Sequence, residues 1–437
     1  MALIELSPET PAPPATAPPP AYFYRRTGLA LAVLLLLALG GAAPAGSVLF
    51  QRIGSVPLAA GGDFQLVDGI LYTMDLDAEP RVLTAWQPSP PRRLWSQRGT
   101  TTEDPFFVSA ATAGFSVLRS GRGMSVLDAH TGALRWSSPV AVQPVDDRVA
   151  FVEEEIFRPG TEYDTESGDP GQLYGANTGT LHTEPALRTE LRGVELADGG
   201  PVWSRSLPGT VFTTWTGTAV VVLTSDKLMV LAPATGAVLR EQPVPLLNGR
   251  PAAAGEVVGG TILVHYGDFG TGGPVAAYAV DTLARLWQRD QPDPAGNSAD
   301  CRGLTCFTSS DGLIVLDPRT GRERWRTTGT ELQAFGSDAV LEAGYPGRPL
   351  RTAELATGQP RTELGWWRFS VPVGGEDPYV LLGRLDGRST IFGMLHARDA
   401  AVQPLGRLPE TTVQCESLPG LLACRGATAI ELWAIPG

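Results

Sequence analysis

The four cysteines offer the clearest reactive chemistry in the chain, and they fall into two local pairs, Cys301 with Cys306 and Cys415 with Cys424. Paired thiols form disulfides in oxidising compartments, and four thiolates can also bind Zn²⁺. Neither pair has the short spacing of a zinc knuckle repeated in duplicate, and the two pairs lie more than a hundred residues apart. The spacing therefore predicts two disulfides, Cys301–Cys306 and Cys415–Cys424, with a shared zinc site as the alternative.

Other catalytic signals are sparse. The four histidines are far apart, and none has a neighbouring metal-ligand or triad pattern: His130, His182, His265 and His396. The sequence has no G-x-S-x-G elbow and no phosphate-cradling loop. No residue is therefore assigned a catalytic, cofactor-binding or metal-binding role, and no cofactor is expected.

Residues 153–190 form an acidic stretch that contains nine Asp or Glu residues and only two arginines. Three of the carboxylates, Asp164, Glu166 and Asp169, are spaced closely enough to suggest a Ca²⁺ loop. The EF-hand pattern nevertheless fails, because its twelfth position falls on Gly175 instead of a glutamate. The stretch is predicted to be a mobile insertion, with a partner-binding loop and a metal site as the alternatives.

A second pattern in the sequence is a repeated segment that predicts the geometry of a tight turn. Two segments have similar sequences, VLDAHTGALRWSS from residue 126 and VLDPRTGRERWRT from residue 315. Both contain Leu-Asp, Thr-Gly and a tryptophan four residues after the glycine. Gly132 and Gly321 are predicted to take positive φ in a tight turn, because glycine adopts that conformation without steric cost. Asp128 and Asp317 are predicted to accept hydrogen bonds from the same turn.

The tryptophan recurs along the chain. Five positions align, and each indole is predicted to pack between neighbouring repeats: Trp95, Trp136, Trp203, Trp287 and Trp325. Two degenerate copies place Arg240 and Thr362 at the same position. Most spacings are close to 40 residues, but 67 residues separate Trp136 from Trp203, which indicates one insertion.

Each repeat reads as four short strands, because apolar and β-branched runs alternate with turn residues and no helical period follows residue 53. Four-stranded units repeated around an axis make a β-propeller. The predicted fold is therefore all-β, a propeller of eight four-stranded blades, with seven to nine allowed. The segment at residues 47–53 could supply the strand that closes the ring.

The pattern Leu-Asp-x-x-Thr-Gly-x-x-x-Trp resembles the tryptophan-docking repeat of pyrroloquinoline-quinone (PQQ) dehydrogenases and their cofactor-free relatives. The resemblance covers about residues 53–435; two copies match closely and the others partially. The quinone enzymes hold their cofactor with two adjacent cysteines, a Ca²⁺ site and a catalytic aspartate, whereas no two cysteines are adjacent here. The chain is similar instead to membrane-anchored PQQ-like-repeat proteins of actinobacteria. The resemblance implies an architecture and leaves the activity open.

The N-terminal residues predict where in the cell the protein is located. Residues 1–26 are Pro-rich and are expected to form a disordered cytoplasmic tail, and residues 27–49 are expected to form one transmembrane helix. Arg25 and Arg26 precede the apolar run, so the N-terminus should remain cytoplasmic and residues 50–437 should be extracytoplasmic. A cleaved signal peptide is the alternative, because Ala43–Ala45 resembles a cleavage site. The expected location is the cell membrane, with a single span.

The net charge of the chain argues against nucleic-acid binding. A chain with a net charge of −12 and a single lysine, Lys227, lacks the basic surface that nucleic-acid binding requires.

The favoured function is a noncatalytic, monomeric, membrane-tethered propeller that serves as a binding or scaffold module for an envelope protein or glycan. The alternative is a degenerate quinone-type oxidoreductase, or a hydrolase or lyase, with its site in the central funnel.

Overall fold

The computed structural model describes residues 50–436, apart from 100–105, 113, 121–122, 165, 167, 170, 172, 176–178, 268–272, 291–300, 302–303, 310, 376–377, 400 and 413. These residues belong to one compact unit, Leu49–Gly437. The predicted tail and transmembrane helix lie outside them. Within the described residues, every regular element is a strand, and no helix has the length and hydropathy needed to span a bilayer.

The strands form consecutive antiparallel sheets, because each apolar run ends at a tight turn that returns the chain beside itself. β1 (Gln51–Pro57) precedes blade 1, which contains β2 (Asp63–Val67), β3 (Ile70–Asp75), β4 (Val82–Pro88) and β5 (Pro91–Arg98). Blade 2 contains β6 (Phe106–Thr112), β7 (Phe115–Ser120), β8 (Gly123–Asp128) and β9 (Leu134–Ser138). Blade 3 contains β10 (Val142–Pro144), β11 (Val149–Ile156), β14 (Arg188–Glu195) and β15 (Pro201–Pro208), and between its second and third strands lies a hairpin of β12 (Tyr174–Gly175) and β13 (Leu181–His182).

The same order continues through the remaining blades. Blade 4 contains β16 (Phe212–Trp215), β17 (Val220–Leu223), β18 (Lys227–Leu231) and β19 (Val238–Pro243), and blade 5 contains β20 (Ala252–Val258), β21 (Thr261–Tyr266), β22 (Val275–Ala279) and β23 (Arg285–Arg289). Blade 6 has three described strands, β24 (Cys306–Ser309), β25 (Gly312–Leu316) and β26 (Glu323–Thr327). Blade 7 contains β27 (Glu331–Phe335), β28 (Ala339–Gly344), β29 (Arg348–Glu354) and β30 (Pro360–Glu363), and blade 8 contains β31 (Phe369–Val373), β32 (Tyr379–Asp386), β33 (Ser389–His396) and β34 (Gln403–Leu408). Blade 9 contains β35 (Cys415–Leu418), β36 (Leu421–Arg425), β37 (Ala429–Ala434) and β1.

The propeller therefore has nine blades, the upper end of the predicted range and one more than the expected eight. The ninth blade is made from both ends of the unit, since β1 pairs antiparallel with β37 and places Gln51 opposite Ala434. The predicted closing strand, residues 47–53, overlaps β1 but ends four residues too early, and its residues 47–49 lie outside the described part of the chain. The alternating pattern of a single edge strand sets its limits poorly, because only pairing with β37 fixes the register.

The core is a ring of nine apolar clusters, one at each interface between neighbouring blades. In one of them, Leu228 and Val230 of blade 4 pack with Ile262 and Val264 of blade 5, all of them fully buried. Each blade thus buries both of its surfaces, which is why the second and third strands read as nearly continuous apolar runs.

Strand order assigns every connection to one of two faces. The turns between second and third strands, and the connections from one blade to the next, meet at one end of the strands, here named the blade-linking face. The turns between first and second strands and between third and fourth strands meet at the other end. That end is named the entry face, because β1 begins there and β37 ends there. The chain enters the propeller at the face opposite the blade-linking face.

Candidate binding face

The five predicted tryptophans lie at interfaces between consecutive blades. Each indole N–H donates to a carbonyl in the next blade: Trp95 to Ala129 at 2.7 Å, Trp136 to Leu196 at 2.9 Å, Trp203 to Pro233 at 2.6 Å, Trp287 to Pro318 at 2.9 Å and Trp325 to Leu355 at 3.0 Å. Each ring also lies against a glycine of that blade, respectively Gly132, Gly199, Gly236, Gly321 and Gly358. These contacts join blades and do not form a reactive site.

The repeated aspartates hold the turns that receive these rings. The Asp317 carboxylate accepts from the backbone N–H groups of Arg319 and Thr320 at 3.0 and 2.9 Å, and from the Arg324 guanidinium at 2.7 Å. The Arg324 hydrogen bond, more than any other interaction, lowers the pKa of Asp317 to about 2. Asp128 makes the equivalent bonds, and its pKa is also lowered to about 2, chiefly by Arg135. The predicted positive φ angles are present, at 70° for Gly132 and 63° for Gly321.

Both predicted disulfides are present. Cys415 and Cys424 lie directly opposite each other on the first and second strands of blade 9, so this bridge strengthens the sheet that closes the ring. Cys301 is bonded to Cys306, the first residue of β24 in blade 6. The two bridges therefore lie in different blades, which is incompatible with a shared zinc site built from all four thiols.

The acidic insertion is shorter and more structured than predicted. β11 extends to Ile156 and β14 begins at Arg188, and the Leu187 N–H donates to the Ile156 carbonyl at 2.8 Å. The insertion proper is therefore residues 157–187. Its described part contains the β12–β13 hairpin and local contacts: the Phe157 ring stacks on His182 with centroids 3.8 Å apart, and the His182 Nδ1 lies 3.0 Å from the Thr161 hydroxyl.

The polar groups near the first strands do not converge on one point. The Glu153 carboxylate accepts from the Thr213 hydroxyl at 2.5 Å across blades 3 and 4, and His265 lies 3.3 Å from Glu256 within blade 5. Glu416 of blade 9 accepts from the Leu66 backbone N–H of blade 1, and burial raises the pKa of this carboxyl. Among the described residues, no three His, Cys, Asp or Glu side chains are grouped to hold a metal ion.

The blade-linking face carries a feature that sequence reasoning missed. Eight of the eleven strongly exposed large apolar side chains of the described chain lie on it: Leu76, Leu181, Leu187, Phe212, Leu246, Tyr345, Trp366 and Leu385. The other three, Leu134, Val202 and Leu239, lie on fourth strands. The two most exposed aromatic residues are Tyr345, at 86%, and Trp366, at 82%, both on connections of blade 7.

The loop that carries Trp366 is firmly held on both sides. The Leu364 N–H donates to the Leu350 carbonyl at 2.7 Å, and the Arg368 N–H donates to the Gly383 carbonyl at 2.8 Å. The Trp367 side chain packs into the core between blades 7 and 8, and the Arg384 guanidinium lies 5.9 Å from the centre of its ring. The adjacent tryptophans therefore have opposite environments, one packed inward and the other presented to solvent.

The hairpin that carries Tyr345 is hydrogen-bonded to this loop through Arg348. Tyr345 lies in the turn between β28 and β29, and Arg348 is the first residue of β29. The Arg348 guanidinium donates to the Gly365 carbonyl, next to Trp366, at 2.6 Å. Tyr345, Trp366 and Leu385 of the neighbouring blade 8 are all exposed on the blade-linking face, and the three are here named the aromatic patch. The sequence signal that could have indicated it is the pair of adjacent tryptophans outside the repeat pattern.

Comparison with known proteins agrees with this architecture. Residues 187–342 match the PQQ-like repeat family described as outer membrane protein assembly factor BamB. Residues 187–342 are therefore similar to PQQ-like repeats, and they form part of the nine-bladed propeller. A search of curated proteins found no significant match.

Solved structures that are similar to the chain share little sequence with it. BamB from Moraxella catarrhalis is 14% identical, with a TM-score of 0.40 over 88% of this chain and 99% of that one. The quinohemoprotein alcohol dehydrogenase from Pseudomonas putida is 11% identical, with a TM-score of 0.40 over 90% of this chain and 77% of that one. AztD from Citrobacter koseri is 11% identical, with a TM-score of 0.40 over 84% and 92%.

Proposed function

We propose that this chain is a noncatalytic β-propeller, tethered to the membrane by its N-terminal segment, that binds a protein of the cell envelope through its blade-linking face. The observation that carries the proposal is the aromatic patch, in which a hydrogen-bonded loop presents the Trp366 indole with 82% of its surface exposed. Aromatic side chains dominate the binding energy of many interfaces, and an anchor that is already held in place loses little entropy on binding.

The position of the patch supports the same function. The chain enters the propeller at the entry face, and the aromatic patch lies at the opposite end of the strands. Clustered apolar side chains on one surface of a folded protein commonly mark a site of protein interaction. The match of residues 187–342 to a family described as an assembly factor is consistent with a binding role.

Photo-crosslinking from the patch tests this function. A benzophenone amino acid placed at Trp366 of the full-length, membrane-associated chain is expected to form one discrete adduct with an envelope protein. The matched control places the same group at Leu134, which is 59% exposed on a fourth strand at the entry face. Tyr345→Ser should reduce the yield of the adduct from position 366 without changing the propeller, since the Tyr345 side chain is 86% exposed.

Two results would contradict the proposal. Identical adducts from positions 366 and 134 would mean that contact is nonspecific, and the absence of any adduct from position 366 in intact membranes would leave the aromatic patch without a partner. An adduct that resists protease but is removed by glycosidases would replace the protein partner with a glycan.

A further inference from the structure

The interface between blades 4 and 5 departs from the tryptophan–glycine arrangement at both positions. Arg240 lies opposite Val230 on the neighbouring strand. Trp136 lies opposite Val126 and Trp325 opposite Val315 at the same position of their blades, so Arg240 occupies the tryptophan position. In the next blade, Leu283 occupies the position that is glycine where a tryptophan packs against it. The interface between blades 4 and 5 therefore lacks both the ring and the glycine.

The turn itself is retained. The Leu283 N–H donates to the Ala279 carbonyl at 2.8 Å, as the Gly321 N–H does to the Asp317 carbonyl, and Leu283 keeps a φ of 57°. A leucine rarely adopts positive φ, because its Cβ crowds the backbone. Here the side chain is 1% exposed and packs in the core between blades 4 and 5, so burial offsets the strain.

A groove lies where the indole would have packed. It has a volume of about 770 Å³ and opens on the entry face, between the turns of blades 4, 5 and 6. Its wall includes Leu239, which is 53% exposed, together with Leu286, Val280 and the Gly259–Gly260 turn. This volume is within the range of ligand-binding clefts, about 300–1,000 Å³.

Two features of the groove indicate what it binds. The Val280 carbonyl occupies the position that accepts an indole N–H at interfaces such as Trp287–Pro318, and within the described residues nothing donates to it. Arg240 and Arg319 both line the groove with exposed side chains, and Asp281 is the one carboxylate in its lining. No described ion pair involves either guanidinium.

We propose that this groove binds an acidic segment of a partner protein that inserts an aromatic side chain where the repeat lacks its own. The indole or phenol of the segment donates to the Val280 carbonyl and packs beside Leu239, while its carboxylates pair with Arg240 and Arg319. The groove lies on the entry face and the aromatic patch lies on the other face, so the two binding functions are independent.

Peptide binding to the full-length chain in detergent tests the proposal. The probes are the fluorescein-labelled pentapeptide Asp-Glu-Trp-Glu-Asp and its charge-reversed counterpart Arg-Lys-Trp-Lys-Arg, each measured by fluorescence anisotropy at low salt. The acidic peptide is expected to bind at least tenfold more tightly than the basic one. Arg240→Glu combined with Arg319→Glu should weaken acidic-peptide binding at least tenfold and favour the basic peptide.

A repaired repeat provides the steric test. Arg240→Trp combined with Leu283→Gly restores the pair found at the other interfaces, so the new indole should occupy the groove and reduce binding at least tenfold. The electrostatic control is Arg148→Glu with Arg158→Glu, which changes the net charge equally at exposed positions of blade 3 and its insertion. Equal binding of the two peptides, or full binding by the Arg240→Glu/Arg319→Glu variant, would overturn the proposal even if the repaired variant failed to fold.

Discussion

The indole of Trp287 lies so close to the α carbon of Gly321 that a Cβ built on this glycine would be 2.5 Å from Cδ2 of the ring. The corresponding distance is 2.7 Å between Gly132 and Trp95 and 2.6 Å between Gly358 and Trp325. The ring thus requires glycine for two reasons, the positive φ of the turn and the close approach of the ring itself. Where Arg240 stands in place of the tryptophan, no ring approaches the turn of the next blade, and Leu283 meets only the requirement of a positive φ.

Substitution of Gly321 distinguishes the effect of the positive φ from the effect of contact with the Trp287 ring. Gly321→Ala is expected to lower the free energy of unfolding by about 2–4 kcal/mol, because the new methyl group must displace the Trp287 ring and also adopt a positive φ. Gly387→Ala is the matched control: its φ is 60°, but nothing lies within 4 Å of the added Cβ, so it should lose only about 1 kcal/mol. Urea denaturation measures both. Equal losses in the two variants would mean that the contact with the ring has no energetic role.

The low pKa of Asp317 predicts a pH dependence of stability. Its pKa is about 2 in the folded protein, chiefly through Arg324, against about 3.9 in an unfolded chain. A depressed carboxyl pKa stabilises the fold above pH ~4, and this stabilisation is lost as the pH falls towards 2. Asp317→Asn should therefore destabilise the protein by roughly 1 kcal/mol at neutral pH, and most of this difference from wild type should be lost as the pH falls from ~4 to ~2.

Thermal unfolding between pH 2 and 7 checks this profile. Arg324→Gln should reproduce most of the loss, and the double variant should lose little more than either single variant, since both substitutions remove the same interaction. A difference between wild type and Asp317→Asn that remained constant down to pH 2 would exclude the ion pair as its cause.

Buried Glu342 links blades 6 and 7 and should be the more costly carboxylate to remove. Its side chain is 2% exposed, accepts from the Gly329 N–H at 3.2 Å and from the Thr327 hydroxyl, and pairs with Arg351 at 2.8 Å. Glu342→Ala leaves these donors without their acceptor, so a loss of about 3–5 kcal/mol is expected in urea denaturation. The surface pair of Glu323 and Arg326 supplies the control, since Glu323→Ala should cost below about 1 kcal/mol. Similar losses in both variants would refute the linking role.

Removal of the acidic insertion should leave the propeller intact. β11 and β14 pair up to Ile156 and Arg188, so residues 158–186 can be replaced by a short Gly-Ser turn at the end of an existing hairpin. The melting temperature should change by less than about 3 °C, because the core clusters on both sides of blade 3 contain no described residue of the insertion. Cooperative unfolding at a much lower temperature would show that the Phe157–His182 stack supports blade 3.

Much of the fold follows from residues that act locally. Asp128, Gly132 and Trp136 could be assigned from the sequence because a tight turn admits few residue types, and the same turn recurs with Asp317, Gly321 and Trp325. The disulfide pairing was also predictable, since Cys415 and Cys424 flank one hairpin and lie opposite each other in it. The sequence could not assign a functional site, because none of its histidines or carboxylates forms a recognised catalytic pattern.

What the sequence determined by itself was the repeat, because each copy contains a turn whose aspartate and glycine meet local requirements and a tryptophan that packs against the same turn of the next copy. Tertiary structure alone decided the number of blades, because the ninth blade exists only when β1 pairs with β37 from the other end of the chain. It also decided where binding surfaces lie. Trp366 and Trp367 are adjacent residues of the same type, and only the packing of blade 7 against blade 8 partly buries Trp367 and leaves Trp366 exposed. Exposure depends on which strands become neighbours, a long-range property that no local pattern of residues encodes.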